Sequence, residues 1–244
     1  MRRATAVVLC GSAFAAIATI AAPAAPAAGQ CRAGQLRTVG TPTTAFAAVA
    51  RGTTVAYRRP GAALLTTFPR INGLGYPTTF SIVGAIVNAS CEASWYRVKL
   101  PIRPNGVVGY VRPANVAVEK VTTSISVDLS RRELAFYRGG RLVLKTPVGV
   151  GSRATPTPIG RYYVNQRITV GDVNGAFGPA VLGISAFSNV LTDWAEGGPI
   201  AIHGTNEPWS IGRAASHGCV RVPNATLERL FALTPAGTPV VIHP

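Results

Sequence analysis

Strand-sized apolar runs broken by turn residues, with almost no helical period between them, restrict this chain to a mainly β fold. From Arg51 to about Val118 the runs are Thr53 to Tyr57, Thr79 to Val87, Ser94 to Leu100 and Val107 to Val111, and Gly, Pro and Asn separate them. The chain's 26 glycines and 19 prolines supply that punctuation. Trp95, Tyr96 and Val98, with Tyr110 and Val111, can fill the core of a small barrel, and a domain of that size gains from a covalent staple.

A second strand-rich block starts near Thr122. Ser124 to Leu129 alternates polar with apolar, as a half-buried strand does. Leu134 to Tyr137 and Leu142 to Val148 flank Gly139-Gly140, which predicts a two-residue hairpin. Pro199 to His203 reads as a buried strand ending in a histidine, and Thr238 to Ile242 as a closing strand. One helix is predicted, Ala225 to Ala232, with Asn224 as N-cap and Leu227, Leu230 and Phe231 on one face.

The N-terminus has the layout of an export signal: Arg2 and Arg3, an apolar run from Ala4 to Ala22, then the small-residue stretch Pro23 to Ala28. Cleavage would start the mature protein between Ala25 and Cys31. The run also approaches the ~20 residues that span a bilayer, so a retained anchor is the alternative. Charge points the same way. With 24 Lys+Arg against 9 Asp+Glu the net charge is +15, and only Lys99, Lys120 and Lys145 among the basic residues are not arginine. They form no polybasic run, which argues against a nucleic-acid face; an anionic cell-envelope polymer is the expected polyionic partner.

Loss of the signal would discard Cys10 and leave Cys31, Cys91 and Cys219, an odd number. In an oxidising compartment two pair and one stays free. Cys31 and Cys91 flank the small first block and are the natural disulfide. Cys219 lies in Ser216-His217-Gly218-Cys219-Val220-Arg221, downstream of Ile202-His203-Gly204-Thr205. An unperturbed cysteine is only a few per cent thiolate at neutral pH, so an imidazole nearby supplies the base that makes it a nucleophile and later the acid for a leaving amine. The N–H groups of His217, Gly218 and Cys219 could meet a developing oxyanion. A zinc site from His203, His217 and Cys219 lacks a fourth ligand and the spacing of zinc motifs.

These segments, with Thr157-Pro158-Ile159-Gly160 and Gly237-Thr238-Pro239-Val240, resemble the YkuD-type L,D-transpeptidases of bacterial cell-wall assembly over roughly Thr122 to Pro244. Arg221 stands where many members carry Asn. The resemblance implies Cys219 as nucleophile, His203 as base and the Gly204 carbonyl orienting the imidazole. It implies peptidoglycan stem peptides as substrate, release of a terminal D-Ala, and no metal or organic cofactor. Ser216, Arg221 and Trp209 are candidate substrate contacts, and Trp194 could line the cleft. The segment from Tyr57 to Val111 looks like a bacterial SH3-like module. The expected organisation is therefore a signal segment at 1–27, an SH3-like β domain at 28–120 and an L,D-transpeptidase catalytic domain at 121–244. The expected place of action is the extracytoplasmic wall. Two other functions fit the same residues: an L,D-carboxypeptidase, in which water replaces the acceptor amine, and a non-catalytic wall-binding protein.

Overall fold

A computed structural model describes residues 31–194 and 198–244, and the expected signal segment at 1–27 lies outside the described residues. Residues 31–244 form one compact unit containing two large sheets. The first sheet is antiparallel throughout. Its strands are β1 (Leu36–Thr38), β2 (Ala45–Ala50), β3 (Thr54–Tyr57), β4 (Leu64–Phe68), β5 (Thr79–Val87), β6 (Ala93–Lys99), β7 (Val108–Val111) and β8 (Val116–Val121). They run in the order β4-β3-β7-β6-β5-β2-β8, with β1 added to β5. Phe80, Val98, Leu100 and Val111 are fully or almost fully buried at its centre. The disulfide joins Cys31 to Cys91 and so ties the chain before β1 to the β5–β6 turn.

β2 reads Ala-Phe-Ala-Ala-Val-Ala, a composition of low strand propensity, yet it pairs with β5 on one side and β8 on the other. Its small side chains are the reason. A Cβ on Gly237 of the second sheet's final turn would collide with the Ala47 methyl, so a larger residue at 47 would push the two layers apart. Close packing overrides propensity here.

The second sheet holds the chemistry. It comprises β9 (Thr123–Asp128), β10 (Glu133–Arg138), β11 (Arg141–Pro147), β13 (Gly160–Thr169), β14 (Ala180–Phe187), β15 (Pro199–His203), β17 (Val220–Arg221) and β18 (Pro239–His243). Between them in sequence lie β12 (Val150–Gly151) and β16 (Ala214–Ser216), which pair only with each other. The order is β11-β10-β9-β18-β13-β14-β15-β17, antiparallel except for β9–β18 and β15–β17. Gly139 and Gly140 turn the β10–β11 hairpin with φ +56° and +80°, a pair of left-handed residues that matches strand twist. β13 and β14 are the sheet's interior. β14 is buried along nearly its whole length, which is why it lacks the alternation that would mark it in the sequence.

Helix α1 (Asn224–Leu233) covers one face with Leu227 and Leu230, both fully buried. It begins one residue earlier than predicted, and Asn224 is not its cap. Pro223 precedes the first turn without a side-chain cap bond, and the Asn224 carboxamide is turned instead toward the Thr205 N–H at 2.8 Å.

Candidate active site

Two adjacent parallel strands bring the histidine and the cysteine together. In β15, Ile200 and Ile202 point into the core, which sends Ala201 and His203 to the opposite face. β17 pairs with it in the register Ile202↔Val220 and His203↔Arg221. Val220 is fully buried, so Arg221 and Cys219, the residues on either side of it, share the face that carries His203. Cys219 is thus one strand across and two residues back from His203, about 8 Å between backbones for ordinary strand spacing and rise, a gap their side chains can close. β17 has only two residues, and the chain secures it on both edges. Val222 N–H donates to the His203 carbonyl at 2.8 Å, and Arg221 and Gly149 exchange backbone bonds of 2.8 and 2.9 Å.

The turn into Cys219 is built around Ser216, which is buried. Its hydroxyl donates to the Cys219 carbonyl at 2.6 Å and accepts the Gly218 N–H at 3.1 Å. Its carbonyl accepts from Ser152 N–H at 2.9 Å and from the Thr155 hydroxyl at 3.0 Å. The Ser216 hydroxyl therefore has its proton and one of its two acceptor lone pairs engaged inside the loop. Gly218 has φ +118°, and a Cβ there would lie 2.9 Å from Ile200 Cδ1, so both conformation and space demand glycine. Because the Gly218 N–H faces Ser216, the N–H groups of His217 and Cys219 are the ones left to serve an oxyanion.

The imidazole of His203 is fixed by its Nδ1, 2.5 Å from the Gly204 carbonyl. A carbonyl only accepts, so Nδ1 carries the proton and Nε2 presents a lone pair. Gly204 packs where a side chain would strike the Asn224 carboxamide and Gly178, which locks the turn that holds the carbonyl in place. His203 is 4% exposed. Burial, with the Arg221 guanidinium adding repulsion, outweighs the Gly204 bond and pushes its pKa down to about 4. The Cys219 thiol is half-buried and its pKa is pushed up by burial, an effect the Ala201 backbone and Arg221 oppose without cancelling. The two groups thus rest as a thiol and a neutral imidazole. Cys219 is the free thiol among the described residues.

The remaining candidates separate. Arg221 makes a 2.5 Å ion pair with Glu207, its side chain is mostly buried, and its Nε has no partner. Trp209 is 55% exposed on a 3-10 turn (Pro208–Ser210), with the Arg213 guanidinium 6.0 Å from its ring centre. His217 is exposed and lies against Trp194, ring centres 5.4 Å apart. Phe177 is a residue the sequence reading did not single out. It stands edge-on to His203 at 5.0 Å and is half exposed. Its only sequence signal is a large aromatic inside a Gly-rich loop between two buried strands.

A buried base oriented by a carbonyl, beside a thiol on a glycine-containing turn, is a device for acyl transfer. Residues 122–242 match the model of the YkuD family, described as the L,D-transpeptidase catalytic domain. The chain is 31% identical over 134 residues to the YkuD protein of Bacillus subtilis, whose name carries a provisional L,D-transpeptidase assignment; the match covers 55% of this chain and 68% of that one. It is also 31% identical to Bacillus subtilis YqjB, a protein with the same provisional assignment, over 58% of this chain and 78% of the relative. The chain belongs to the YkuD family of L,D-transpeptidases. The YkuD protein of Bacillus licheniformis is 38% identical over 49% of this chain, and the match spans 65% of that relative's length. Among solved structures, that of Enterococcus faecium L,D-transpeptidase aligns at 26% identity with a TM-score of 0.39, covering 50% of this chain and 49% of that one. The family-model match falls on the second sheet and its loops, and this chain carries an L,D-transpeptidase catalytic domain there.

Proposed function

We propose that the chain is an exported peptidoglycan L,D-transpeptidase that cross-links stem peptides through a Cys219 thioester. The observation that carries this reading is the shared face of His203 and Cys219 on parallel strands, with Nδ1 tied to Gly204 and Nε2 left as the proton acceptor. The donor is a tetrapeptide stem. Cys219 Sγ forms a bond to the carbonyl carbon of the third residue while its proton passes to His203 Nε2. The oxyanion so formed is met by the N–H groups of His217 and Cys219, each such donor commonly worth ~3 kcal/mol in the transition state. Collapse breaks the carbon–nitrogen bond to the terminal D-Ala, whose amine takes the proton from Nε2. An acceptor amine from a neighbouring stem then attacks the thioester, Nε2 takes its proton and returns it to Sγ, and the cross-link leaves. Phe177 stands against the His203 ring and Trp194 against His217, which places both aromatic side chains where they can contact a bound stem. No metal or organic cofactor enters this cycle.

In the same proposal, residues 1–27 direct export, and the strands before Val121 act as an SH3-like module. The net charge of +15 favours the anionic polymers of the envelope, and the membrane is a partner only where the signal segment is retained. Incubating the purified protein with defined disaccharide tetrapeptides and weighing the products tests the reaction. A cross-linked dimer supports the transpeptidase, a tripeptide identifies the L,D-carboxypeptidase, and unchanged substrate leaves the non-catalytic wall-binding protein.

A further inference from the structure

We propose that Asn105, assisted by Arg103, is a positioning residue for the catalytic loop, acting through the segment that carries Trp194 to His217. The chain has a local problem at the end of β14. Phe187 sits opposite Pro199 as a non-hydrogen-bonded pair, flanked by the bond from Ser188 N–H to the Gly198 carbonyl, so its own N–H and C=O point away from β15 and lie beyond the last β13–β14 pair, Val164↔Ile184. Asn105, in the turn between β6 and β7 of the other sheet, supplies the missing partner. Its Nδ2 donates to the Phe187 carbonyl and its Oδ1 accepts the Phe187 N–H, both at 2.8 Å. One side-chain amide thereby reproduces both bonds of a sheet neighbour. Arg103 donates to the Ser188 carbonyl at 2.7 Å and lies 5.4 Å over the Phe187 ring.

From this anchored point the chain is held for one more turn. Ser188 is 1% exposed; its hydroxyl accepts from Val190 and Leu191 N–H at 3.3 and 3.0 Å, and its N–H donates to the Gly198 carbonyl at 2.8 Å. Three residues beyond Leu191 comes Trp194, 53% exposed, whose ring meets exposed His217. Both residues of that contact are exposed. Its geometry follows from where residues 187–191 are fixed, and Asn105 and Arg103 fix them. His217 in turn carries one of the two N–H groups assigned to the oxyanion, so the inference rests on the proposed acyl transfer for its catalytic consequence.

The full chain and four variants test it: Asn105→Ala, Asn105→Asp, Trp194→Ala and the Asn105→Ala/Trp194→Ala double. Imidazole NMR resolves the chain's three histidines. The ring current of Trp194 displaces the His217 signal, and Asn105→Ala should bring it to the position seen in Trp194→Ala while His243 stays unmoved. Carbapenem acylation, read as adduct mass against time, should slow by about tenfold in each single variant. The double variant should be no slower than Trp194→Ala, as expected for two residues on one path. Asn105→Asp keeps the bond from the Phe187 N–H and loses the one to its carbonyl; it should fall between, and it carries the comparison if the alanine variant does not fold. A His217 signal unmoved in the Asn105 variants, or losses that add in the double, overturns the inference. If the wild type acquires no adduct, the acyl-transfer reading fails, and the His217 signal still decides whether Asn105 positions the loop.

Discussion

Lowering the pH should destabilise this protein through His203. The imidazole is buried and neutral, with its pKa lowered from 6.5 to about 4. Between those values the unfolded chain binds a proton that the native site refuses, so stability is fully present above pH 6.5 and is lost as pH falls through about 4. A gap of roughly 2.5 units at 1.36 kcal/mol each makes the contribution about 3 kcal/mol, a sizeable part of the stability of a typical domain. Urea unfolding from pH 7.5 to 4.0 measures it in wild type and in His203→Gln, which keeps a polar side chain without a titrating group. Asp128, whose pKa is lowered by the Arg131 backbone N–H and the Ser130 hydroxyl, contributes to both proteins and cancels in the difference. The wild type should lose about 3 kcal/mol more than the variant across this range. The acid limb of acylation should likewise fall between pH 4 and 5, because His203 stays a competent base down to there. Equal pH slopes in the two proteins, or an acid limb near 6.5, would refute the buried neutral base.

Three further outcomes follow from the same geometry. Cys219→Ala should abolish the covalent carbapenem adduct and all turnover while leaving the melting temperature within a few degrees, checked by intact mass and calorimetry. Gly218→Ala should cost about 1–3 kcal/mol from the φ of +118° alone, with added strain against Ile200, and should suppress acylation more than stability; a variant that acylates at wild-type rate would contradict the turn geometry. Reducing the Cys31–Cys91 disulfide, which spans a sequence separation of 60, should lower stability by up to about 4 kcal/mol in the chain-entropy account, and acylation by native protein should survive, measured by denaturation and adduct formation with and without reductant.

The sequence made branched strands and hairpins legible, the buried β5 among them, and hid β2 and β14. β5, β10 and β15 carry alternating or branched runs that announce strands, and Gly139-Gly140 announces its turn. β14 is buried on both faces and so has no alternation to read, and β2 is alanine-rich because the second sheet's Gly237 turn presses on it. Within the site, Cys219 and His203 stand out because their chemistry is written in residue type. Their meeting depends on a two-residue parallel strand too short to detect, and Phe177 and Asn105 act across 26 and 82 residues of sequence to reach His203 and Phe187. Ser216 was legible as a motif member but not as the loop's internal fastener, since that role lies in where its hydroxyl points. Asn224 shows the converse: a residue type suited to capping was drawn off by the Thr205 backbone.

The position of β18 in the second sheet sets a timetable for biosynthesis. β9 to β11 on one side and β13 to β17 on the other have no ladder between them except through β18, which pairs with Ile125 in β9 and Tyr162 in β13. A growing polypeptide can emerge with Cys219, His203 and the whole catalytic turn already made and still possess only two half-sheets. Contacts of such long sequence separation form late. His203 and Cys219 lie in the same half, on β15 and at the start of β17, so the two can meet before residues 239–243 are inserted, and what the insertion of β18 adds is the continuous sheet that ties them to β9–β11.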